Sequence, residues 1–488
     1  MTRTSLVLLG ALALNACSQA TPEQQIVNDA ASALGGADRI RAVKTLVIRG
    51  GGTHYNLGQD LVPGASGQTF TVTDLTRAID VAGGRARTEL TRTPTFTFFQ
   101  GPQAQRQVVG IDGDVGYNVV PNGTATRTAD LVTADRRMEL LHHPLAAVRA
   151  ALDPMAKLTN PRTEGGQSMV DVTTASGTSF TLAVDAATKL PSRVSNVADN
   201  TNLGDVTIST TFADYQDVGG LTLPATLTTK TDDFTTALVN ATSQTVDGDT
   251  GDLAAPAAAA SAPAIAAPPA PMVAVAELAK GIWHLTGGSH HSVLVEFADH
   301  LMLIETPQNE ARAMAVIAKA RELRPGKPLT QLLNSHHHFD HTGGVRAAIA
   351  EGLTVITHQG NVAFFEEMAR RPHTVAPDAL AGNAKPVTVE GVSEARTITD
   401  GTMSVVLHPV TGPHSETMLV AYVPRERILV EADVYNPGGA VQMFAGKFLA
   451  DVKALNVRID RIVPLHSVVA PFAQFVKEAS APVPTASN

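Results

Sequence analysis

The chain has 488 residues, 44% of them hydrophobic and 17% charged, a balance typical of folded globular domains. Its length exceeds what one hydrophobic core serves, so two or more domains are expected. The net charge of −9 and the aromatic content of 4% exclude a basic surface and a base-stacking platform, so we expect no nucleic acid partner. The single cysteine excludes an intramolecular disulfide and thiolate metal ligands within the mature body.

The first residues have the features of an export signal. Arg3 precedes an apolar stretch, Leu6 to Leu14, that is too short to span a bilayer. The stretch ends in Leu14-Asn15-Ala16-Cys17, which resembles the lipobox of bacterial lipoproteins. This resemblance implies that residues 1–16 are a signal peptide and that Cys17 is the lipid attachment site. The protein would then be exported, on the periplasmic face, and tethered to the outer membrane by this anchor. An ordinary secretory signal is the alternative.

Residues 17–251 predict a β-rich, mainly antiparallel α+β domain. A helical pattern runs from about Gln24 to Val43, and another from Ala134 to Leu152 is interrupted at Pro144. Asp112-Gly113 and Asn122-Gly123 are hairpin signals. The predicted strands are Thr45–Ile48, Thr69–Val72, Thr95–Phe98, Gln107–Val109, Met169–Thr173, Ser179–Val184, Val206–Phe212 and Leu221–Thr229.

This half has no catalytic constellation. Only three of the sixteen histidines precede residue 250, and we expect His142 and His143 to be helix-end or surface residues. The phrases Thr188–Pro191 and Tyr215–Leu221 resemble lipoprotein-carrier and periplasmic sensor domains, whose concave sheet holds acyl chains. The resemblance implies a substrate-docking or lipid-binding module, and a spacer domain is the alternative.

Residues 252–272 are dominated by Ala and Pro, and this composition predicts an extended, semi-rigid linker between two domains. Residues 273–478 then form the second domain, and residues 479–488 are predicted to be a flexible tail. Strands and helices alternate in the second domain, which places candidate ligands at strand ends and in loops. The predicted elements are strands Gly281–Leu285, Ser292–Phe297 and His300–Ile304, helix Glu310–Leu323, strand Pro328–Leu333, helix Gly343–Glu351 and strand Thr354–Ile356.

The run that follows Leu333 carries the strongest chemical signal in the chain. It places His336, His338, Asp340 and His341 in the pattern H-x-H-x-D-H. Three imidazoles and a carboxylate within six residues cannot be buried together without a charged partner. A divalent metal ion is such a partner, and this mixture of ligands suits zinc or iron. A solvated polar loop is the alternative, and we interpret the intervening His337 as a non-ligand.

Together with residues further along the chain, this run resembles the metallo-β-lactamase superfamily across about residues 273–477. His414 in Gly-Pro-His-Ser, Asp433 after an apolar strand, and His466 in Val-Pro-Leu-His follow in the family's order. The resemblance implies an α/β fold, the αββα metallo-β-lactamase sandwich. It implies two divalent metal ions, zinc first, with iron or manganese as other choices. The implied ligands are His336, His338 and His414 for one ion, Asp340, His341 and His466 for the other, and Asp433 between them.

Two features distinguish this chain within that resemblance. Glu305 stands where the family has Asp, so a supporting hydrogen bond is expected to shift. The absence of a second cysteine excludes the cysteine-ligand class of true β-lactamases. His290 and His291 lie in a loop that rims the site in the superfamily, and substrate contact and a plain surface loop both stay open.

The predicted function is that of an exported metal-dependent hydrolase. A hydroxide activated by the two metal ions would attack an ester, lactone, thioester or amide bond of a small-molecule or acyl substrate, with Asp340 as the catalytic residue that orients the water. Two alternatives remain. One is a mononuclear iron oxygenase of the same superfamily, and the other is a non-catalytic envelope lipoprotein that handles lipids.

Overall fold

The computed structural model describes residues 20–64, 67–96, 103–266, 269–439, 441 and 444–481. The predicted signal peptide, Cys17 and most of the predicted tail lie outside the described residues. Within the described part of the chain, we find no helix that is both long enough and apolar enough to cross a membrane.

The N-terminal half begins with two helices where one was predicted. α1 (Pro22–Ala33) starts with a capping box formed by Thr21 and Gln24. α2 (Ala37–Ala42) is separate, because Gly35 and Gly36 take φ angles of 119° and 104°, which end a right-handed helix. The second predicted helical stretch is also a pair, α3 (Asp130–Leu140) and α4 (Pro144–Ala151), with Pro144 in the first turn of α4, where proline is tolerated.

A long antiparallel sheet makes up the rest of this half and confirms the β-rich prediction. Its strands are β1 (Thr45–Tyr55), β2 (Thr69–Asp80), β3 (Arg85–Pro94), β4 (Gln105–Asp112), β5 (Val115–Val119), β6 (Ala125–Arg127), β7 (Lys157–Glu164), β8 (Gln167–Thr173), β9 (Ser179–Asp185), β10 (Pro191–Asn200), β11 (Gly204–Val218), β12 (Leu221–Thr231) and β13 (Phe234–Val246). Within the described residues they lie in the order β6-β5-β4-β3-β2-β1-β13-β12-β11-β10-β9-β8-β7. Both predicted hairpin turns are confirmed, between β4 and β5 and between β5 and β6.

Helices α1, α2 and α4 cover one part of the sheet. Leu34, Ile40, Leu145 and Val148 from the helical segments pack with Leu182 and other strand residues in one hydrophobic cluster. The predicted strand Thr95–Phe98 differs from the structure, since β3 ends at Pro94 and residues 97–98 lie outside the described residues.

The Ala/Pro stretch differs from an extended spacer. It contains a short helix, α5 (Ala257–Ala260), and packs against the N-terminal sheet. Leu253 is buried with Val47 and Ala78. The backbone N–H of Ala255 donates to Asp112 Oδ2 at 3.0 Å. Small apolar side chains and free backbone groups therefore keep part of this segment on the first domain.

Two sheets form the C-terminal half. The first contains β14 (Ala274–Ala279), β15 (Ile282–Thr286), β16 (Ser292–Glu296), β17 (Leu301–Ile304), β18 (Leu329–Leu333), β19 (Thr354–His358) and β20 (Val389–Val392) in chain order. The second contains β21 (Arg396–Thr399), β22 (Ser404–Val410), β23 (Met418–Val423), β24 (Ile428–Glu431), β25 (Arg461–Pro464) and β26 (Ala470–Pro471), also in chain order. The helices are α6 (Glu310–Leu323), α7 (Phe339–Thr342), α8 (Val345–Ala350), α9 (Val362–Arg370), α10 (Ala379–Gly382), α11 (Ala445–Ala454) and α12 (Phe472–Ala479).

Three hydrophobic clusters stack these elements into four layers. Alternate residues of the two sheets face each other in a central cluster that includes Val293, Val405 and Leu407. A second cluster joins the outer face of the first sheet to α6, α8 and α9, and a third joins the second sheet to α11 and α12. This arrangement is the predicted αββα sandwich, preceded by the predicted β-rich domain.

Candidate metal centre

The run from Asn334 begins where β18 ends, at one edge of the sandwich. Glu305, which directly follows β17, holds the start of this run: its Oε1 accepts from Ser335 N at 2.7 Å and its Oε2 from Asn334 Nδ2 at 3.3 Å. Glu305 is fully buried and has a φ of 68°, a region that costs free energy for a residue with a side chain. The Glu305 carboxylate therefore holds Asn334 and Ser335 at the start of the run, and the expected shift of a supporting hydrogen bond stays a prediction.

The fold brings together all seven residues that the sequence analysis named as metal ligands. They form two groups whose ligating atoms lie within 4.8 Å of one another in each group. The first group is His336, His338, His414 and Asp433, and the second is Asp340, His341, His466 and His290. Six of the seven residues are divided as predicted, while Asp433 is a member of the first group and His290 is added to the second. The role of these residues as metal ligands stays a prediction.

Asp433 lies between the two groups. Its Oδ2 is 3.2 Å from His336 Nε2, 3.0 Å from His414 Nε2 and 2.8 Å from His341 Nε2. Its Oδ1 is 2.6 Å from His466 Nε2. One carboxylate therefore reaches two rings of each group, the position expected for a bridging ligand. The φ of 66° at Asp433 adds backbone strain at the same point.

Ring nitrogens of different histidines face one another in both groups. His336 Nε2 lies 3.2 Å from His414 Nε2, and His341 Nε2 lies 3.0 Å from His466 Nε2. Two neutral imidazole nitrogens at this separation need either a proton or a cation to share. The opposite nitrogens of two rings are already held, since His336 Nδ1 lies 2.8 Å from Ser335 Oγ and His466 Nδ1 lies 3.0 Å from the Ser289 carbonyl. Ligating histidines are usually held in this way by their second nitrogen.

His338 gives the clearest sign of a missing partner. Its Nε2 donates to the backbone carbonyl of Asp60 at 2.9 Å, and its buried Nδ1 has no hydrogen-bond partner among the described residues. A buried polar atom left alone is costly, so such an atom beside other ligand atoms indicates a site for an ion. The donor set, imidazoles with carboxylates and no sulfur, fits zinc, iron or manganese.

Burial and charge set the protonation of these groups. Burial lowers the pKa of His336 to about 3 and the pKa of His338 well below that of an ordinary histidine, so both rings are neutral, as a metal ligand must be. Burial raises the pKa of Asp433, but the charges of His341, His466 and His414 outweigh it and hold this pKa well below the ordinary value. Burial lowers the pKa of His341, but the nearby carboxylates of Asp433 and Glu305 raise it by more. The pKa of His341 therefore ends well above 6.5. The centre therefore favours a positive charge at its middle.

Asp340 combines an open position with a fixed orientation. Its side chain is 33% exposed, more than that of any other member of the two groups. Its Oδ2 lies 3.0 Å from His290 Nε2 and its Oδ1 accepts from Gln59 Nε2 at 2.7 Å. Burial raises the pKa of Asp340, but the hydrogen bond from His290 and the charge of His341 outweigh burial and lower it below the ordinary value. Asp340 is therefore an oriented carboxylate at the solvent side of the centre.

The structure separates several other histidines from this centre. His337 belongs to neither group and lies 3.2 Å from Thr417 Oγ1 through its Nδ1, as its interpretation as a non-ligand requires. His291 packs edge-on against His284 and lies outside both groups, whereas His290 is inside one. His143 caps α4, as expected of a helix-end residue. The surface alternative is wrong for both His142 and His143, because both are buried and His142 hydrogen-bonds Thr210 and Asn196.

Sequence reasoning missed the contribution of the N-terminal half. Gln59 and Asp60 lie in the loop between β1 and β2, and both contact the run at the metal centre. Their partners are 281 and 278 residues away along the chain. No local pattern around Gln59 or Asp60 marks them, because an amide and a backbone carbonyl acquire this role only through tertiary contact.

The residues matched by one known family include seven of the eight members of the two groups, all but His466. Residues 285–439 match the metallo-beta-lactamase superfamily. An (R)-specific secondary-alkylsulfatase from Pseudomonas sp. is 33% identical over 91 residues, which are 19% of this chain and 13% of that protein. A linear primary-alkylsulfatase from Pseudomonas sp. is 24% identical over 210 residues, which are 38% of this chain and 30% of that protein. The chain thus spans less than a third of the length of either curated relative.

Solved structures with the same kind of fold align with less than half of the chain. A metallo-beta-lactamase from Pontibacter korlensis is 16% identical, with a TM-score of 0.34 over 43% of this chain and all of that chain. A stereoselective inverting sec-alkylsulfatase from Pseudomonas sp. is 17% identical, with a TM-score of 0.33 over 43% of this chain and 41% of that chain. The layered architecture and the family match coincide, and the C-terminal half of this protein has the metallo-β-lactamase fold.

Proposed function

We propose that the C-terminal half is a metal-dependent hydrolase with a two-metal centre. The observation that carries the proposal is the position of Asp433, within 3.2 Å of two rings from each ligand group. A structural metal site needs four ligands and is closed. Seven candidate ligands around the shared carboxylate of Asp433, with Asp340 open to solvent, fit a reactive centre better.

Bound metal ions would supply Lewis acidity and a water that ionises near neutral pH. The chain's own residues supply orientation. Asp340, ionised and held by Gln59 and His290, is placed to accept a hydrogen bond from a water and so to aim it. His414 and His466 complete opposite ends of the centre, and Glu305 holds the intervening loop in place.

The substrate proposal combines the predicted bonds with the names of the relatives. Esters, lactones, thioesters and amides are the bonds predicted for a small-molecule or acyl substrate. Two relatives are named for alkyl sulfate ester hydrolysis, which supports alkyl sulfates as the first substrates to test. We propose zinc as the metal, since imidazole and carboxylate ligands suit it.

The test is metal quantification followed by an assay panel. The full-length protein is purified, its metal content is measured by mass spectrometry, and hydrolysis of alkyl sulfate, carboxylic ester, lactone, thioester and β-lactam substrates is followed. We expect two metal ions per chain and turnover that a chelator abolishes. One iron per chain with oxygen consumption would favour the mononuclear oxygenase instead. Metal binding without any hydrolysis, unchanged by Asp340→Ala, would contradict the enzymatic proposal.

We also propose that the protein is an exported lipoprotein anchored through Cys17. The support is the sequence Leu14-Asn15-Ala16-Cys17 after a short apolar stretch. Metabolic labelling with a radioactive fatty acid should mark the wild type and leave Cys17→Ser unmarked. Equal labelling of both proteins would contradict the anchor.

A further inference from the structure

We propose that the loop between β1 and β2 is a positioning element of the metal centre, so that the N-terminal domain completes the site instead of acting as a spacer. The inference rests on the proposed metal centre but not on its substrate. The described part of the loop comprises residues 56–64 and 67–68 and is called the β1–β2 loop below.

The first support is the contact with His338. The Asp60 carbonyl accepts the Nε2–H of His338 at 2.9 Å, which leaves Nδ1 as the nitrogen with a free lone pair. Which nitrogen of a histidine can bind a metal is set by the hydrogen bond that the other makes. In this protein the acceptor for His338 comes from the other domain. Without the loop, the His338 ring would lose the contact that selects its tautomer and orientation.

The second support is the contact with Asp340. Gln59 Nε2 donates to Asp340 Oδ1 at 2.7 Å, while His290 lies on the other oxygen. The carboxylate is thereby held from both sides, one side by each domain. Gln59 does not itself belong to either ligand group. It acts through Asp340 and is therefore a positioning residue.

The third support is the way in which the loop is seated. Phe339 N donates to the Gly58 carbonyl at 3.0 Å, and Glu416 N donates to the Leu61 carbonyl at 2.8 Å. The Asp60 carboxylate accepts from Gln68 N at 3.1 Å and so ties the end of the loop to its middle. Backbone bonds on both flanks of Gln59 leave little freedom for that side chain.

Gly58 makes the seating sensitive to a single methyl group. A Cβ at this position would lie 2.3 Å from Cγ of the Phe339 ring, far inside van der Waals contact. Gly58 also has a φ of 79°. Gly64, in the same loop, has a φ of 78° and no described atom within 4 Å of its Cβ position. Gly58→Ala and Gly64→Ala therefore carry the same backbone strain, and only Gly58→Ala lifts the loop from the histidine run.

The experiment compares metal binding in full-length variants. Zinc affinity is measured by competition with a chromogenic chelator, and the visible absorption bands of the cobalt-substituted protein report ligand geometry. We expect Gly58→Ala and Gln59→Glu, which keeps the size of Gln59 but removes its donor, to weaken zinc binding by about tenfold or more and to change the cobalt bands. Gly64→Ala and Gln105→Ala, whose glutamine pairs with Arg92 within the N-terminal sheet, should match the wild type.

The outcomes separate this inference from the proposed function. Wild-type affinity and wild-type cobalt bands in both Gly58→Ala and Gln59→Glu would overturn the positioning role, whatever the protein hydrolyses. Metal binding that depends on the loop, with no hydrolysis of any ester, would uphold the inference and contradict the hydrolase. Failure of the wild type to bind zinc or cobalt would overturn both. Circular dichroism of the metal-free variants identifies a folding defect, and Gln59→Glu, which alters only a half-buried side chain, keeps the test decisive if Gly58→Ala does not fold.

Discussion

The buried histidines His142, in the N-terminal half, and His338, in the C-terminal half, have different surroundings. In the N-terminal half, His142 lies 2.8 Å from Thr210 through one nitrogen and 2.8 Å from Asn196 through the other, so its hydrogen-bonding capacity is filled by its own domain. In the C-terminal half, histidine nitrogens face other histidine nitrogens, and His338 Nδ1 has no partner among the described residues. Burial alone therefore does not mark a functional histidine. A lone unmatched nitrogen does not mark it either, since His143 Nε2 and His337 Nε2 are also buried without a partner among the described residues. What the candidate ligands share is a ring nitrogen that lies beside the ligand atoms of other residues.

The largest expected effect comes from Asp433→Asn, which removes the anion shared by both groups. Metal content should fall from two ions to at most one, and hydrolysis should drop by roughly a hundredfold or more, beyond the loss typical of outer-shell partners. Mass spectrometry of the metal and an activity assay check this. Asp214→Asn, an acidic residue of β11 that binds Thr226, is the control. Two bound ions and normal turnover in Asp433→Asn would show that the two groups do not depend on Asp433 as a shared anion.

The next effect separates two neighbouring buried histidines. His336→Gln should lose metal affinity, because it removes a ring whose Nε2 faces both His414 and Asp433. His337→Gln should lose some stability and keep the metal, since its ring contacts Thr417 outside both groups. Chelator competition and thermal unfolding of both variants give the answer. Equal metal loss in the two variants would mean that burial, and not a position within a ligand group, governs this run.

The next prediction concerns the pH dependence of stability that a buried histidine of the N-terminal half, His143, should cause. Burial lowers the pKa of His143 to about 3, while an unfolded chain has the ordinary value of 6.5. Between these values the unfolded chain binds more protons, so the free energy of unfolding falls as the pH falls from about 6.5 toward 3. His143→Asn retains a side-chain cap for α4 and removes the imidazole that binds this proton in the unfolded chain. The free energy of unfolding of His143→Asn should depend less steeply on pH than that of the wild type, by up to about 1.4 kcal/mol per pH unit.

Urea unfolding of the metal-free wild type and His143→Asn, at about pH 7.5 and about pH 5.5, measures that difference. Identical losses of stability in the two proteins on acidification would show that His143 is not held neutral by burial.

A further effect concerns another contact between the halves. Asn202 accepts from Thr342 Oγ1 at 2.7 Å and donates to the Phe339 carbonyl at 3.3 Å, beside the histidine run. Asn202→Ala should destabilise the protein by about 1–3 kcal/mol, because Thr342 loses a buried partner. Thermal unfolding checks this, with Asn122→Ala in an exposed turn as the control. No difference between the two variants would remove Asn202 from the interdomain contact.

Much of the site was predictable because its ligands fall in short, recognisable segments. Four candidate ligands lie within six residues after β18, and His414, Asp433 and His466 follow at strand ends in the order that the resemblance implied. The place of His290 in the second group was harder to predict, since 50 residues separate it from Asp340 and no motif joins them. Helix α6 was predicted with its observed limits, whereas the first helical stretch was not, because two glycines with positive φ divide it.

The sequence by itself determined which side chains are available for a metal site and that no cysteine lies beyond Cys17. It also predicted a β-rich first domain, and its resemblance to the metallo-β-lactamase superfamily implied the αββα sandwich behind that domain. Only the tertiary structure decided which nitrogen of each ring is free and which groups share Asp433. It also decided that Gln59 and Asp60 of the first domain reach the second. The physical reason is that composition and periodicity act over a few residues, whereas a hydrogen bond between residues almost 300 positions apart depends on how two separately patterned domains dock.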